Sequence, residues 1–439
     1  MEKVRNPKSA VRNNVTAIIM AAGKGTRMKS ERSKVLHDVA GKPMLGYVID
    51  ACQKAGVKDI VLISGANYPE IREFTRITYP NGGIKIVIQK KQLGTAHAIS
   101  TALKAKIKYE EIILILSGDV PLIEPDTIRN AINEFTIEKP GGIILTSKVD
   151  NPFGYGRIVR DAHGFIESIV EQKDATPEQQ EIDHINGGVY IFNREYLKKY
   201  ISRIKMNPLK KEYYLTDIAG IMAENGIKIR PLTVAYAEVA GINDRVQLME
   251  AGKMKNKKTL ERFAKNGITI VDFDTVFIDE NVSIGADTVI QPFTVIRGSS
   301  RIGKGCNIGP FAHIRPGTVI GDNCRVGNYV EIKKSTLGNN TFVSHLSYIG
   351  DAELGSNVNI GAGTITCNYD GFKKHKTIIG DNVFVGSDTK FVAPVKVGRG
   401  AIIAAGSVIT GDVPADALSV ARARQVNKEK WALKRRKKK

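Results

Sequence analysis

The stretch SIGADTVIQPFTVIRGSSRIGKGCNIGPFAHIRPGTVIGDNCRVGNYVEIKK, Ser283–Lys334, carries one aliphatic residue at every sixth position: Ile284, Ile290, Ile296, Ile302, Ile308, Ile314, Ile320, Val326 and Ile332. A helix repeats its apolar face near 3.6 residues and a strand at 2, so a strict six fits neither. With glycine directly after many of these residues (Gly285, Gly303, Gly309, Gly321, Gly327), the period is that of a hexapeptide β-helix. Each hexad supplies one short side of a triangular coil with its aliphatic residue on the axis, and three hexads close a turn. The pattern breaks near Ser335 and Thr336, resumes at Val343, Ile349, Leu354 and Ile360, and runs again through Ile379, Val385, Phe391, Val397, Ile403 and Ile409. Insertions in a solenoid map to loops on one face, often a binding face, which directs attention to 335–348 and 366–376.

Upstream of the repeats the grammar changes. VTAIIMAA, 15–22, is an apolar run that ends in GKGTRM, the pattern of a buried parallel strand delivering a glycine loop to the carboxyl edge of a sheet. Further strands are expected at 59–64, 84–89, 112–117 and 142–147, with helical segments at 44–55 and 96–106 between them, which makes a doubly wound α/β sheet. The loop matches neither common phosphate fingerprint, because Gly23 and Gly25 lack the third glycine and Lys24 does not precede Ser or Thr. Bare amides beside Arg27 and Lys34 suit a polyphosphate, although a structural turn has the same glycines. The strand at 112–116 runs into SGDVPL, which puts Asp119 at the same edge. A carboxylate there is either a plain turn residue or a ligand for Mg²⁺, which is commonly held by one or two carboxylates plus substrate phosphates. Asn243, in VAGINDR, reads equally as the start of a helix.

The chain has 439 residues, which implies two or three domains, and a formal charge of +20, which suits acidic small molecules as well as nucleic acid. Residues 428–439 hold eight Lys or Arg against Glu429 alone. That run reads as a solvated end, with an RNA or anionic-membrane anchor as the other reading. Only Trp431 stands among its cations and no recognition module accompanies it, so nucleic acid is not an expected partner. Four cysteines without CxxC or Cys/His ligand spacing argue against structural zinc and for a reducing compartment. Cys306 and Cys324 are one coil apart and should stack as small inward residues. The N-terminus is basic and polar up to Val15 and no run reaches the length of a membrane span, so a cytoplasmic protein is expected.

Taken in order, IIMAAGKGTRM, KVLH, QLGTAHA, GDVPL, GYGRI, VEQKDAT, INGGVY and EYYLTD together resemble the sugar-phosphate nucleotidyltransferases. With the hexads and HLSYIGDAELGSNVNIGAGTITCNYDG from His345, the chain resembles the bifunctional family that makes UDP-N-acetylglucosamine from glucosamine-1-phosphate. The resemblance implies a Rossmann-like α/β nucleotidyltransferase domain at 14–243, a linker helix at 244–267, a left-handed parallel β-helix acetyltransferase domain at 268–423, and the basic tail at 424–439. It implies uridylyl transfer from UTP to N-acetylglucosamine-1-phosphate, with Arg27 and Lys34 on the triphosphate and Asp119 and Asn243 on Mg²⁺. Ala22, Gly23, Gly25, Gln89, Gly94 and Thr95 would hold UTP and read its uracil, and Gly156, Glu171, Asn186 and Glu212 would take the sugar, with Tyr213 closing that pocket. Ser33, Ala96 and Ser117 depart from the family's residues, Pro, Gly and in some members an aromatic. The run of coils is also about two short of the family's usual pattern.

A histidine after the first interruption is the natural base for an amine near neutral pH, although a lone histidine is often structural. Arg315 and Lys333 are eighteen residues apart, one turn, and so stack as two cations. By resemblance Arg315, Lys333, Tyr348 and Asn359 bind glucosamine-1-phosphate, with Lys374 or Lys376 nearby, and His345 is the general base. Asn368, Tyr369, Ser387, Ala405 and Arg422 would hold acetyl-CoA, Arg422 being followed by Ala423 and Arg424 where the family has Val-Pro. A homotrimer, with the acetyl site between subunits, is implied as well. The alternative keeps a single nucleotidyltransferase activity and makes the β-helix an oligomerisation scaffold.

Overall fold

The computed structural model describes residues 14–436 apart from Lys24 and Leu209. The basic N-terminal stretch 1–13 and the last three residues of the tail lie outside the described residues. The chain divides into two compact units, one up to Gly252 and the other from Lys253.

The first unit is built on Val15–Met20, whose residues alternate between two cores. Ala17 and Ile19 pack with Leu45, Ile49 and Ile128 on one face, while Ile18 packs with Ala98, Ile99 and Leu197 on the other. A strand apolar on both faces needs helices on both sides, which is why this sheet is doubly wound. Across the sheet the order is Ile229–Thr233, Gly142–Lys148, His184–Asn193, Ile112–Ser117, Val15–Met20, Asp59–Ser64 and Ile84–Ile88. His184–Asn193 runs antiparallel to both its neighbours, and the other pairs on that path are parallel. Met20 pairs with Ser117, so the glycine loop and the Gly118–Asp119 turn leave the sheet side by side at one carboxyl edge. A hairpin, Arg157–Arg160 with Ile166–Val170, attaches to His184–Asn193 and extends the sheet beyond that edge.

The second unit is a β-helix. Short strands pair in parallel with the third strand along, giving three sheets of nine, eight and seven strands. The inward residues form columns, Ile290, Ile308, Val326, Val343, Ile360, Val385 and Ile403 on one side, and at most 3% of any of them is exposed. Burying each such side chain is worth on the order of 2 kcal/mol. Glycine after the inward residue is obligatory where coils touch: a Cβ on Gly327 would lie 1.9 Å from Ser344 O. A second inward column lies two residues before the first and contains the expected cysteine stack. It holds Thr288, Cys306, Cys324 and Thr341, and Thr288 Oγ1 donates to Gly303 O of the next coil at 2.9 Å. Cys306 and Cys324 occupy this column, the Cys324 amide donating to Cys306 Sγ at 3.4 Å, and both are free.

The two interruptions differ. The first is no loop: Leu337 follows Ile332 by five residues instead of six and points inward, so two coils are one residue shorter and pairing continues without a gap. Ser335 makes this tight corner, accepting from the Ala352 amide at 3.0 Å and donating to Lys333 O at 2.9 Å. The second is a true excursion. Thr366 pairs with Phe391 and the intervening 368–376 stands out from the coil, closed by a bridge between Tyr369 and Lys374.

The helix Arg245–Lys265 stops at Gly267, whose φ of 86° suits glycine. Its Leu260 and Phe263 cover the first coil's core, and buried Asn256 bonds Val276 O and the Ile278 amide, satisfying strand groups that the first coil would otherwise leave bare. Among the described residues no helix is long and apolar enough to cross a membrane.

Candidate active sites

At the carboxyl edge of the first unit lies a cleft of about 710 Å³. Its lining includes Ala22, Gly23, Gly25, Arg27, Lys34, Gln89, Gly94, Thr95, Asp119, Glu171, Asn186, Glu212 and Asn243, residues drawn from segments more than 200 positions apart. Gly25 has φ 60°, and a Cβ there would lie 2.5 Å from Lys34 Cβ, so the bare glycine is what lets Lys34 enter the cleft. Lys34 Nζ sits 2.5 Å from Asp119 Oδ2 and 2.9 Å from Asn243 Oδ1, and Arg27 Nη2 donates to the same Asn243 oxygen at 2.9 Å. Two hard oxygens therefore converge on one cationic point. That donor set fits a divalent ion completed by phosphates and water; among the described residues no group of three His, Cys, Asp or Glu offers a fuller cage.

In the cleft, Gln89 is 3% exposed and its Nε2 donates to Gly94 O at 3.2 Å and meets His97 Nδ1 at 2.9 Å. With its nitrogen engaged inside the fold, the Gln89 amide has its oxygen left to accept. The Thr95 hydroxyl accepts from the Leu215 amide at 2.9 Å, and Tyr213 O accepts from the Ala96 amide at 3.0 Å, so EYYLTD is bolted to the QLGTA loop. A Cβ on Gly94, φ 96°, would strike Tyr213 O.

Also lining the cleft, Glu171 accepts from Thr216 Oγ1 at 3.0 Å, and Asn186 donates to Tyr190 Oη at 2.8 Å while its oxygen accepts from the Gly188 amide. Burial pushes the Glu171 carboxyl above the usual carboxylate range, with Thr216 pulling the other way and Asp174 adding to the rise. Gly156 does not line the cleft; its carbonyl accepts from the Asn186 amide, and its missing side chain leaves the gap between Asn186 and Glu171 open. Tyr213 turns away from the cleft and Tyr214 lines it instead, a correction that follows from Tyr213 pairing with the Leu93–Ala96 loop. Gln92, Tyr190 and Thr216 also line the cleft and went unread, although each stands within or beside a quoted motif. Two of the departures have local reasons. The Ser33 amide donates to Glu70 Oε2 at 3.0 Å, a bond proline cannot make, and Ser117 lines the cleft where a ring would fill it.

The second unit carries its candidate residues on open faces. Arg315 and Lys333 follow Ile314 and Ile332 in one sheet, one coil apart, and Tyr348 stands opposite Glu331 in that sheet. Arg315 is shared with Glu331, its Nη1 donating at 2.8 Å, so it is not a bare cation. Of the two downstream lysines, Lys374 lies against Lys333, whose charge lowers its proton affinity, whereas Lys376 pairs with Glu353 at 2.5 Å. His345 Nδ1 meets Asn328 Oδ1 at 2.9 Å, the two residues being in register one coil apart. With Nδ1–H donating to that oxygen, Nε2 is left as the basic nitrogen. Asn328 was missed, although it stands seventeen residues before His345 and a count along the column would have found it.

Ser387 and Ala405 occupy the same corner as His345 in later coils, two residues past the inward Val385 and Ile403. Arg422 lies against Gly406, one position further along the same edge. Asn359 is on a different sheet from Lys333, in a column with Phe342, Phe384, Ile402 and Leu418, so the chain alone does not bring it to the Arg315–Lys333 face. In the excursion, Asn368 bonds Asp351, Tyr369 Oη donates to Gly371 O at 2.6 Å, and Phe372 at the tip is 91% exposed. Asp370 holds the loop's turn, accepting from the Lys373 and Phe372 amides and meeting His375. These bonds, the Lys373 amide foremost, depress its carboxyl to about 2.

Residues 16–230 match the family described as nucleotidyl transferase, and residues 299–334 and 376–411 match bacterial transferase hexapeptide repeats. Among curated relatives named bifunctional protein GlmU, the one from Trichlorobacter lovleyi is 44% identical over 455 residues, covering 96% of this chain and 98% of that one. The relative from Geotalea uraniireducens is 43% identical, covering 97% of this chain and all of its own length. That from Thermoanaerobacter pseudethanolicus is 45% identical, covering 97% and 99%.

Proposed function

The chain belongs to the bifunctional GlmU family, and from that premise we propose how its residues divide the work. It is an enzyme of two activities: acetyl transfer from acetyl-CoA to glucosamine-1-phosphate, then uridylyl transfer from UTP to the N-acetylated product, releasing pyrophosphate.

In the first unit, a phosphate oxygen of N-acetylglucosamine-1-phosphate attacks the α-phosphorus of UTP, and the bond to the β-phosphate breaks as pyrophosphate leaves. Such a reaction asks the protein mainly for positioning and charge neutralisation. Arg27 and Lys34 take the triphosphate, Lys34 exchanging its carboxylate partner for phosphate. Ala22, Gly23 and Gly25 let the backbone approach, Gln89, Gly94 and Thr95 face the uracil, and Glu171, Asn186 and Glu212 receive the sugar, with Gly156 keeping the space between them. Asp119 and Asn243 would hold Mg²⁺, which when bound draws charge from the phosphates. The convergence of their oxygens on Lys34 Nζ is the observation that carries this assignment.

In the second unit, His345 takes a proton from the amino group of glucosamine-1-phosphate through Nε2 while Asn328 fixes the ring. The freed amine attacks the acetyl carbonyl and the C–S bond to coenzyme A breaks. Arg315, Lys333, Tyr348 and Lys374 hold the sugar phosphate, and Asn368, Tyr369, Ser387, Ala405 and Arg422 hold acetyl-CoA along the corner column. Asn359 belongs to an exposed face with Phe342, Phe384 and Ile402, which supports a homotrimer in which that face meets another copy and completes the site. A cytoplasmic location agrees with the substrates.

The test is a paired assay on the purified protein: thiol release from acetyl-CoA with glucosamine-1-phosphate, and pyrophosphate release from UTP with N-acetylglucosamine-1-phosphate and Mg²⁺. Asp119→Ala should lose pyrophosphate release by about 10²-fold or more and keep thiol release. Loss of both, or of neither, would remove Asp119 from metal binding at the uridylyl-transfer site.

A further inference from the structure

Three segments deliver Arg27, Lys34 and Asn243 to the first cleft: the turn Thr26–Met28, the turn Lys34–Leu36, and the loop before helix Arg245–Lys265. One side chain that does not line the cleft ties all three. Arg245 Nε donates to Met28 O at 3.2 Å and its Nη1 to His37 Nδ1 at 3.4 Å, while its backbone is two residues from Asn243. His37 is 5% exposed, and its amide donates to Lys34 O at 3.2 Å, so the imidazole is an extension of the lysine turn. A guanidinium can only donate, so Nδ1 is the unprotonated nitrogen and the ring's proton is on Nε2, which has no hydrogen-bond partner among the described residues. A buried polar atom left unpaired costs stability, which marks the ring as held for Nδ1. Burial, then Arg245 and Arg32, lower the ring's affinity for a second proton, with Asp38 and Glu70 opposing. Asn243 is fixed from its other side: its amide donates to Gln247 Oε1 at 2.7 Å and its Nδ2 to Gly241 O at 3.1 Å, which leaves Oδ1 facing Arg27 and Lys34.

We propose that Arg245, resting on His37, is a positioning residue for uridylyl transfer that sets the spacing of Arg27, Lys34 and Asn243 without touching substrate. This rests on the first cleft being the site of uridylyl transfer. A misplacement of about 1 Å among reacting and stabilising groups can cost on the order of 10²-fold in rate, so a tie of this kind matters even from outside the cleft. Acetyl transfer, performed in the other unit, is the internal control for folding.

The experiment compares Arg245→Met, Arg245→Lys, His37→Leu and His37→Asn with wild type in both assays, with UTP binding in EDTA by calorimetry and with thermal unfolding. Arg245→Met is expected to lower kcat for pyrophosphate release about 10²-fold and weaken metal-free UTP binding, leaving KM for the sugar phosphate and thiol release unchanged. His37→Leu should lose about 10-fold, and His37→Asn, whose Oδ1 replaces the Nδ1 acceptor, should recover most of it. Wild-type kcat in Arg245→Met overturns the proposal. So does loss of both activities together with a lowered unfolding temperature, which would make Arg245 a residue of the fold, and so does equal loss in His37→Asn and His37→Leu. If wild type itself releases no pyrophosphate, it is the reading of the cleft that fails, not the tie.

Discussion

The two candidate sites are built in opposite ways. In the first unit the groups come from loops scattered between Ala22 and Asn243, and the sheet edge folds them into a concave cleft where Lys34 donates to both Asp119 and Asn243. In the second, the groups come at coil intervals along flat outer faces: Arg315 above Lys333, His345 beside Asn328, Ser387 before Ala405. A sheet edge makes an enclosure out of one chain; a solenoid makes rows, and rows need something laid against them. Phe342, Phe384, Ile402 and Leu418 form one exposed apolar row of that kind.

The largest test of this contrast is His345→Ala, expected to cut thiol release by about 10²- to 10⁴-fold while pyrophosphate release is untouched. Asn328→Ala should give a smaller loss in the same assay, and a loss in pyrophosphate release from either variant would mean the sites are not independent. Next comes Glu171. Its folded-state carboxyl titrates above the ordinary range, so its negative form is lost as pH falls through that raised value and only the neutral form remains below it. If the carboxylate accepts from sugar hydroxyls, KM for N-acetylglucosamine-1-phosphate should rise about tenfold as pH drops into that window, and Glu171→Gln should flatten the profile at the high KM. An unchanged profile in the variant would remove Glu171 from the sugar pocket. The smallest effect concerns the loop. Asp370 is depressed to about 2, so its support is present above the unfolded carboxyl's value near 4 and fades only as pH falls toward 2. Asp370→Ala should raise KM for acetyl-CoA about fivefold at neutral pH with kcat nearly unchanged, and a wild-type KM would show that the 368–376 turn does not serve that substrate.

What is legible in the sequence follows the same divide. Inward hexad positions, stacked cysteines and the Arg315–Lys333 pair can be read directly because a solenoid converts sequence spacing into distance. The five-residue step from Ile332 to Leu337 looks like a break in the sequence, since a period count cannot tell a deleted corner residue from an excursion. In the first unit the motifs fall on loops that line the cleft, but which neighbouring residue faces inward is settled by pairing: Tyr214 over Tyr213 because the Tyr213 backbone is bound to Leu93 and Ala96. His37 and Arg245 are unreadable for the same reason, being 208 residues apart and joined only by the fold.

The glycines that follow many of the inward residues leave no slack between coils, and a Cβ on Gly386 would meet Ala405 N at 2.4 Å. The corner column is therefore a ruler with fixed graduations of about 4.8 Å. His345 and the edge at Arg422 are four coils apart, a span of about 19 Å that cannot stretch or shrink. A whole coil added or removed there would keep every face in register, yet it would change the length of cosubstrate that could touch both ends. On the proposed placement of acetyl-CoA along this column, the length accepted is set by a number of turns and changes only in whole steps.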